Sequence, residues 1–178
     1  MLLAGCSPAK KPSTGGKTGT RDAVEKALEK NDYKAQFEKA RFSWFDGKGN
    51  RLWHAQCKEV IASQSAADTR VELRGVNASL YKDGKVASTM TAPNVIADRE
   101  SGEVHASGGV KIVSIVDGST AQSDKLIWKS NEHKIIGNGS VKMTRGNMNV
   151  TASSFVSDTA LKKATFTDVE ISVKGSGH

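Results

Sequence analysis

Apolar and polar residues alternate with a period of two over most of the chain after Phe37, and this pattern predicts β-strands. The clearest stretch is Asn77–Val110, where Asn77–Tyr81 and Val86–Ala92 alternate on either side of Lys82–Lys85. The Asp-Gly pair at the centre of Lys82–Lys85 tolerates the positive φ angles that a tight hairpin turn needs. The first half of the stretch therefore predicts a β-hairpin.

The second half of the same stretch predicts a bent pair of strands. Pro93 cannot donate a hydrogen bond to a neighbouring strand, so we expect it at a bend or an edge. Val95–Asp98 is a predicted short strand, Glu100–Glu103 a predicted turn, and Val104–Val110 the returning strand. Within that last strand, Gly108-Gly109 predicts a β-bulge.

The pattern occurs in four successive units, which are Arg41–Val76, Asn77–Val110, Lys111–Val141 and Lys142–Val173. Each unit has the length of a multi-stranded solenoid or roll element. The last strand carries a glycine closely followed by valine, except in the fourth unit, where Phe166–Val169 has lost the glycine. Glycine at matching places predicts a repeated kink where a strand turns a corner. Such repeats stack and bury their apolar faces on their neighbours.

One short helix is predicted before the first unit. Thr20 is a suitable N-cap, Asp22 lies in the first turn, and an apolar stripe follows at helical spacing. We expect this helix within residues 21–36. Residues 1–20 before it would form a lipobox-like segment and a flexible tether, and residues 37–174 after it would form a β-domain. Residues 175–178 would form a short tail.

Composition agrees with one all-β domain. The chain has 178 residues, enough for one sizeable core, and is rich in glycine and β-branched residues but only 6% aromatic. Its net charge is +7, of which residues 1–21 contribute +4 without any acid. A basic tail is typical of proteins that bind nucleic acid or an anionic membrane, and also of a solvated linker. We expect no nucleic-acid partner here.

Cys6 is the candidate for lipidation. It ends the run Leu3-Ala4-Gly5-Cys6, which resembles the lipobox of bacterial lipoproteins, in which the preceding peptide is removed and the cysteine is lipidated. Five residues precede Cys6, whereas a signal peptide needs a basic end and about 7–15 apolar residues. Either the natural start lies upstream or the match is accidental. The composition of Ser7–Thr20 is typical of a flexible tether, and no stretch approaches the roughly 20 apolar residues of a membrane span.

The repeated units resemble the OstA-like superfamily of lipopolysaccharide export, and most closely its LptC-like inner-membrane component. The shared signature is an apolar strand, an Asp-Gly turn, a Thr-Ala strand and a final Ala-Ser-Gly-x-Val segment. It is present here as Leu80–Gly84, Met90–Ala92, Val95–Asp98, Ser101–Val104 and Ala106–Val110, with a second copy between Ser123 and Val141. The resemblance covers roughly Phe37 to Val173.

This resemblance implies a twisted antiparallel β-jelly roll with an apolar groove for acyl chains. It also implies open edge strands, whose unpaired N–H and C=O groups can be completed by another chain. The implied partners are lipopolysaccharide or a similar anionic lipid, an inner-membrane ABC transporter complex and a periplasmic A-type bridge protein. A groove would take up lipid tails at roughly 0.8 kcal/mol per CH₂ group.

The implied location is the periplasm, with an anchor in the inner membrane. The LptC-like component usually has one transmembrane helix at its N-terminus, and this chain has Leu-Ala-Gly-Cys there instead. Two interpretations follow: a lipid anchor that replaces the helix, or a soluble A-type bridge protein of the same superfamily. A structural β-roll lipoprotein without lipid transfer is a further alternative.

The groove candidates are apolar residues of the predicted strands, namely Leu80, Met90, Val95, Val104, Val110, Ile112, Leu126, Trp128, Ile135, Val141, Met143, Val150 and Phe155. A dry, filled core uses the same residue types, so the sequence leaves groove and core open. Phe42, Trp44 and Trp53 cluster in the first unit, where ordinary core packing is favoured over a groove mouth.

We expect neither an enzyme nor a cofactor. The four histidines are scattered, and no His-x-x-x-His or Cys-x-x-Cys pair occurs, so no metal site is predicted. Asp46, Asp83 and Asp117 each lie beside a glycine in a predicted turn, which explains them without catalysis. Gly108-Gly109 is not followed by a helix with Lys-Ser or Lys-Thr, so it is not a phosphate loop.

Overall fold

A computed structural model of the chain describes residues 33–65, 68–98 and 101–174. These residues form ten antiparallel β-strands. Their bounds are β1 Tyr33–Phe45, β2 Arg51–Ser65, β3 Asp68–Lys82, β4 Lys85–Asp98, β5 Glu103–Ser114, β6 Thr120–Lys129, β7 Lys134–Arg145, β8 Met148–Asp158, β9 Ala164–Thr167 and β10 Glu170–Val173.

The strands make one sheet in which neighbours in sequence are neighbours in space. The order runs from β1 to β8, and β9 and β10 then pair with successive parts of the far side of β8. Asp83 and Gly84 have φ angles of 52° and 74°, as a primed hairpin turn requires. The predicted all-β antiparallel fold and this hairpin are confirmed.

A line of kinks, which we call the seam, crosses the sheet and interrupts the strand pairing at every strand. Several of its residues have positive φ, among them Lys39 at 52°, Gly75 at 59° and Asp168 at 51°. Its members are Lys39, Lys58, Gly75, Pro93, Gly108-Gly109, Asp124, Gly139-Ser140, Ser153 and Asp168-Val169.

The predicted features of the central stretch lie on this seam. The register between β5 and β6 shifts between Ser107 and Val110, which confirms the bulge at Gly108-Gly109. Pro93 lies beside it on β4, and a Cβ atom on Gly108 would approach the Pro93 ring to 3.2 Å. The strands continue through the seam, so each pair of short strands predicted from sequence is one long, bent strand.

The seam also moves the inward-facing positions along each strand. On β4 the buried positions Met90 and Ala92 are followed by Val95, so two adjacent residues between them face outward. On β6 the same shift separates Ser123 from Leu126. The seam divides the sheet into two halves, and the apolar faces of both halves therefore turn toward one interior.

Arg145 shows that the open sheet folds over, so that one half of it covers the other. Arg145 ends β7, whereas the β8–β9 loop follows Asp158, which pairs with Lys134 at the other end of β7. A straight strand of this length would hold its ends roughly 36 Å apart. Yet the Arg145 guanidinium donates hydrogen bonds to the carbonyl oxygens of Leu161 and Lys162 in that loop. The two halves thus meet at their far rims, by which we mean the strand ends that lie away from the seam. The bent sheet forms a roll.

The predicted helix at residues 21–36 lies mostly outside the described residues. Tyr33–Gln36, which the sequence analysis placed at its end, are the first residues of β1. The fourth unit also differs, because its last predicted strand divides at Asp168 into β9 and β10. This division is the seam itself, formed without a glycine.

Substitution of Gly137 tests how closely Phe155 packs against β7. Gly137 faces inward on β7 opposite Phe155, whose ring occupies the place of a Cβ atom. Gly137→Ala should lower the free energy of unfolding by about 1–3 kcal/mol, because Phe155 must leave its position. Chemical denaturation measures this loss.

Gly47→Ala is the matched control for Gly137→Ala. A Cβ atom on Gly47 would meet nothing within 4 Å, and neither glycine has a positive φ. An equal loss of stability in both variants would contradict the packing described for Phe155.

Candidate functional site

The roll brings all of the groove candidates together in one apolar cluster. They come from strands β3 to β8 and lie on both sides of the seam. Each is at most 2% exposed to solvent. Because water does not reach these side chains, a lipid tail would enter only if the surrounding strands or loops moved.

Among the described residues, two buried polar groups of the apolar interior lack a hydrogen-bond partner. They are the indole Nε1 of Trp53 and the hydroxyl of Ser88. Trp53 pairs with Leu80 on β3, and Leu80 pairs with Ser88 on β4, so the two groups lie in one row across the sheet. A buried donor without an acceptor is costly, and a ligand carbonyl in the interior would satisfy it.

The apolar interior is incompletely covered at both ends of the roll. On β1, Phe42 and Trp44 are half-buried against the core, and Phe42 packs on Trp53 with ring centroids 5.6 Å apart. On β10, Ile171 pairs with the buried Val150 but is itself 57% exposed. Apolar side chains that continue the inward face are therefore accessible at both edges.

Both edges also present backbone groups without a partner strand among the described residues. β1 pairs only with β2, and β9 and β10 pair only with β8. Unpaired N–H and C=O groups on an edge strand are available to a strand from another protein. Hydrogen-bonding capacity and apolar surface thus coincide at each end of the roll.

The far rims meet at a structure that we call the mouth, formed by Arg145, the β5–β6 turn at 115–119 and the β8–β9 loop at 159–163. Arg145 Nε donates to the hydroxyl of Ser119 at 3.0 Å and lies 3.4 Å from the Asp117 carboxylate. The pKa of Asp117 is lowered, chiefly by hydrogen bonds from Ser119 and to a smaller extent by Arg145. The carboxylate is therefore charged at neutral pH and pairs with the guanidinium.

The β8–β9 loop closes the interior at the mouth. Thr159, Ala160 and Leu161 are at most 5% exposed, and Trp128 Nε1 donates to Thr159 Oγ1 at 3.3 Å. Sequence reasoning missed both this loop and Arg145. Pairing of β6 with β7 brings Ser119 to Arg145, whereas only the bend of the sheet brings Leu161 to it, 16 residues away in sequence.

Cys57 and the possible metal ligands show no reactive or metal-binding arrangement among the described residues. Cys57 is buried, its thiol donates to the carbonyl oxygen of Ala40, and burial raises its pKa, so the reactive thiolate is disfavoured. Among the described residues, no group of His, Cys, Asp and Glu side chains is arranged to hold a metal ion. In the same part of the chain, no helix has the length and hydropathy to cross a bilayer. Cys6 lies outside the described residues.

Comparison with known proteins identifies related sequences and folds. A family model described as "Lipopolysaccharide-assembly, LptC-related" matches residues 7–171. The chain is similar to the solved structure of LptH from Pseudomonas aeruginosa, described as the LptA homologous periplasmic component of the conserved lipopolysaccharide transport device. The TM-score is 0.51 with 9% sequence identity, over 81% of this chain and 96% of that chain. At this identity the similarity shows the fold alone. No curated protein matches the sequence significantly.

Substitution of Ser88 tests whether the unpaired donors of the interior lower the stability of the protein when no ligand is bound. Ser88→Ala removes a buried hydroxyl that has no partner in the described part of the chain, so the stability should stay the same or rise by about 1 kcal/mol. Thermal unfolding in the absence of lipid measures this change.

Ser114→Ala is the control, because Ser114 pairs with Ser88 across the sheet but its hydroxyl accepts a hydrogen bond from the Val116 amide at 3.2 Å. This variant should lose about 0.5–1.5 kcal/mol. A large loss in Ser88→Ala would show that its hydroxyl has a partner in solution.

Proposed function

The chain belongs to the LptC-related family of lipopolysaccharide-assembly proteins, and from that premise we propose that it is a periplasmic carrier of lipopolysaccharide. It would link an inner-membrane ABC exporter to a periplasmic bridge protein and pass acyl chains through its apolar interior. Its role would be binding and transfer without catalysis, and the energy would come from the partner ATPase.

The observation that carries this proposal is the continuity of the apolar interior to both ends of the roll. A domain that only needs a stable core covers its apolar side chains, whereas here Ile171 and Val173 on β10 are 57% and 64% exposed. A second roll joined at β10 would cover them and extend the interior. Acyl chains could then pass from one roll to the next without contact with water.

Pairing of the edge strands would join the protein to its neighbours so that their interiors are continuous. β1 at one end and β9 with β10 at the other are available for head-to-tail pairing with neighbouring proteins. Backbone hydrogen bonds would set the register of the joined sheets. The apolar side chains beside them would supply most of the buried area.

The unpaired donors of Trp53 and Ser88 support a lipid ligand over a dry core. An acylated lipid carries ester and amide carbonyl groups, which accept hydrogen bonds and enter an apolar interior together with the tails. A carbonyl at this row would satisfy donors that the protein leaves unpaired.

We place the protein at the inner membrane through lipidated Cys6, with the segment after it as a tether. The fold similarity to LptH favours a second candidate, a soluble A-type bridge protein of the same superfamily. The two functions share the interior and the edges. They differ in the membrane anchor and in the presence of a transporter partner.

Photocrosslinking tests whether the interior holds lipid. A photoreactive residue at Met90, which faces inward and is 1% exposed, should capture lipopolysaccharide in cells. The neighbouring Thr91 is exposed and faces outward, so a probe there should capture none. Radiolabelled lipid on the purified adduct is the readout.

The same experiment separates transport from a purely structural role. Capture of proteins by probes on β1 or β10, together with no lipid at position 90, would establish a scaffold and contradict the proposed function.

Mass spectrometry of the mature protein tests the anchor. A lipidated protein should begin at Cys6 with the added mass of its acyl groups, and Cys6→Ser should release it from the membrane fraction. A mature N-terminus at unmodified Met1 would refute the anchor and leave the A-type role.

A further inference from the structure

We propose that the mouth is an entry port, at which the phosphorylated headgroup of an acylated lipid binds Arg145 and thereby releases the 159–163 loop from the interior. This inference rests on the proposed function, since it assumes that acyl chains enter the roll. It adds a headgroup site and an opening step.

The 159–163 loop has the structure of a plug. Leu161 is fully buried although it lies in a surface loop, and Ala160 beside it is 5% exposed. Leu161 also has a φ of 57°, a left-handed conformation that is strained for a bulky residue. Such a conformation persists only where surrounding contacts hold it, so loss of those contacts favours a different loop conformation.

Arg145 makes the contacts that hold the plug across the mouth. Its guanidinium donates to the carbonyl oxygens of Leu161 and Lys162, the second at 3.2 Å. Both carbonyl acceptors are neutral, and Nε is the atom that faces Ser119 and the Asp117 carboxylate. The side chain is 35% exposed, so a ligand can reach the two terminal nitrogens that hold the plug. A phosphate binds a guanidinium through two charge-assisted hydrogen bonds, which are stronger than bonds to neutral carbonyls. Binding of a phosphate would therefore compete with the plug for Arg145.

The surroundings of Arg145 suit an amphiphile with an anionic headgroup. Lys162 and Lys163 are exposed and form no ion pair among the described residues. The Asp158 carboxylate beside them accepts a hydrogen bond from the Lys162 backbone amide at 2.7 Å, so its negative charge is already partly stabilised by the backbone. On the opposite side of the mouth, Ile115 and Val116 are 56% and 57% exposed. Cationic groups for a phosphate thus stand next to apolar groups for acyl chains.

Release of the plug would open the interior directly. The Thr159 hydroxyl accepts a hydrogen bond from Trp128, a fully buried side chain of the apolar cluster. The Thr159 backbone amide donates to the His133 carbonyl oxygen at 3.0 Å. His133 also has a buried Nδ1 without a partner among the described residues. Movement of the loop would therefore uncover Trp128 and leave polar groups at the rim for a headgroup.

Hydrogen exchange measured by mass spectrometry on the full chain tests the opening step. The probes are bisphosphorylated lipid A and the same lipid with both phosphates removed. Lipid A should raise exchange of the 159–163 amides and should bind about ten-fold more tightly than the dephosphorylated lipid. The β1–β2 turn should exchange equally with and without lipid.

Variants at Arg145 test the headgroup site. Arg145→Ala should show rapid exchange of the plug without lipid, and its preference for the phosphorylated lipid should fall below about two-fold. Arg74→Ala is the matched control, since Arg74 lies on the outer face and pairs with Glu59 at 3.3 Å; it should keep both wild-type properties. If Arg145→Ala does not fold, Arg145→Lys is the second variant: lysine keeps the charge without the planar fork, so it should show faster exchange of the plug without lipid and keep part of the phosphate preference.

The outcomes separate this inference from the proposed function. If neither lipid binds the wild-type protein, the proposed function fails and the port fails with it. If both lipids bind equally, or the plug stays protected with lipid A bound, only the port is refuted. Full phosphate preference in Arg145→Ala would also refute it.

Discussion

The fold depends on one constraint: a single sheet with one apolar face and no second layer among the described residues must cover that face with itself. The seam makes this possible, because it bends all of the strands along one line. Gly108-Gly109 on β5 and Gly139-Ser140 on β7 supply positive φ angles, and Pro93 fills the space beside Gly108. Since the bend is shared between neighbouring strands, the inward face of each half turns toward the other.

Closure then depends on a few contacts at the far rims. Arg145 joins the two halves where β7 alone would hold its ends far apart, and Leu161 fills the gap between them. A roll built this way encloses its apolar core, and the opening that we propose at the mouth needs only a local rearrangement of the rim contacts.

The edges of the roll differ from those of an ordinary β-domain. Soluble proteins normally protect edge strands from pairing with other chains, for example with charges or covering loops. Here β10 combines an unpaired edge with exposed Ile171 and Val173, and β1 carries half-buried Phe42 and Trp44. A neighbouring roll joined at either end, as the proposed function requires, would cover these side chains.

The sequence by itself determined the all-β fold, the Asp83-Gly84 hairpin, the bulge at Gly108-Gly109 and the residues of the apolar interior. These features are local: period-two alternation, turn residues and glycines act within a few positions of one another. Tertiary structure alone decided that the kinks align into one seam, that the interior is closed in this conformation, and that Arg145 meets Leu161. Those outcomes depend on the register between strands and on the bend of the whole sheet, which bring together residues that no local pattern relates.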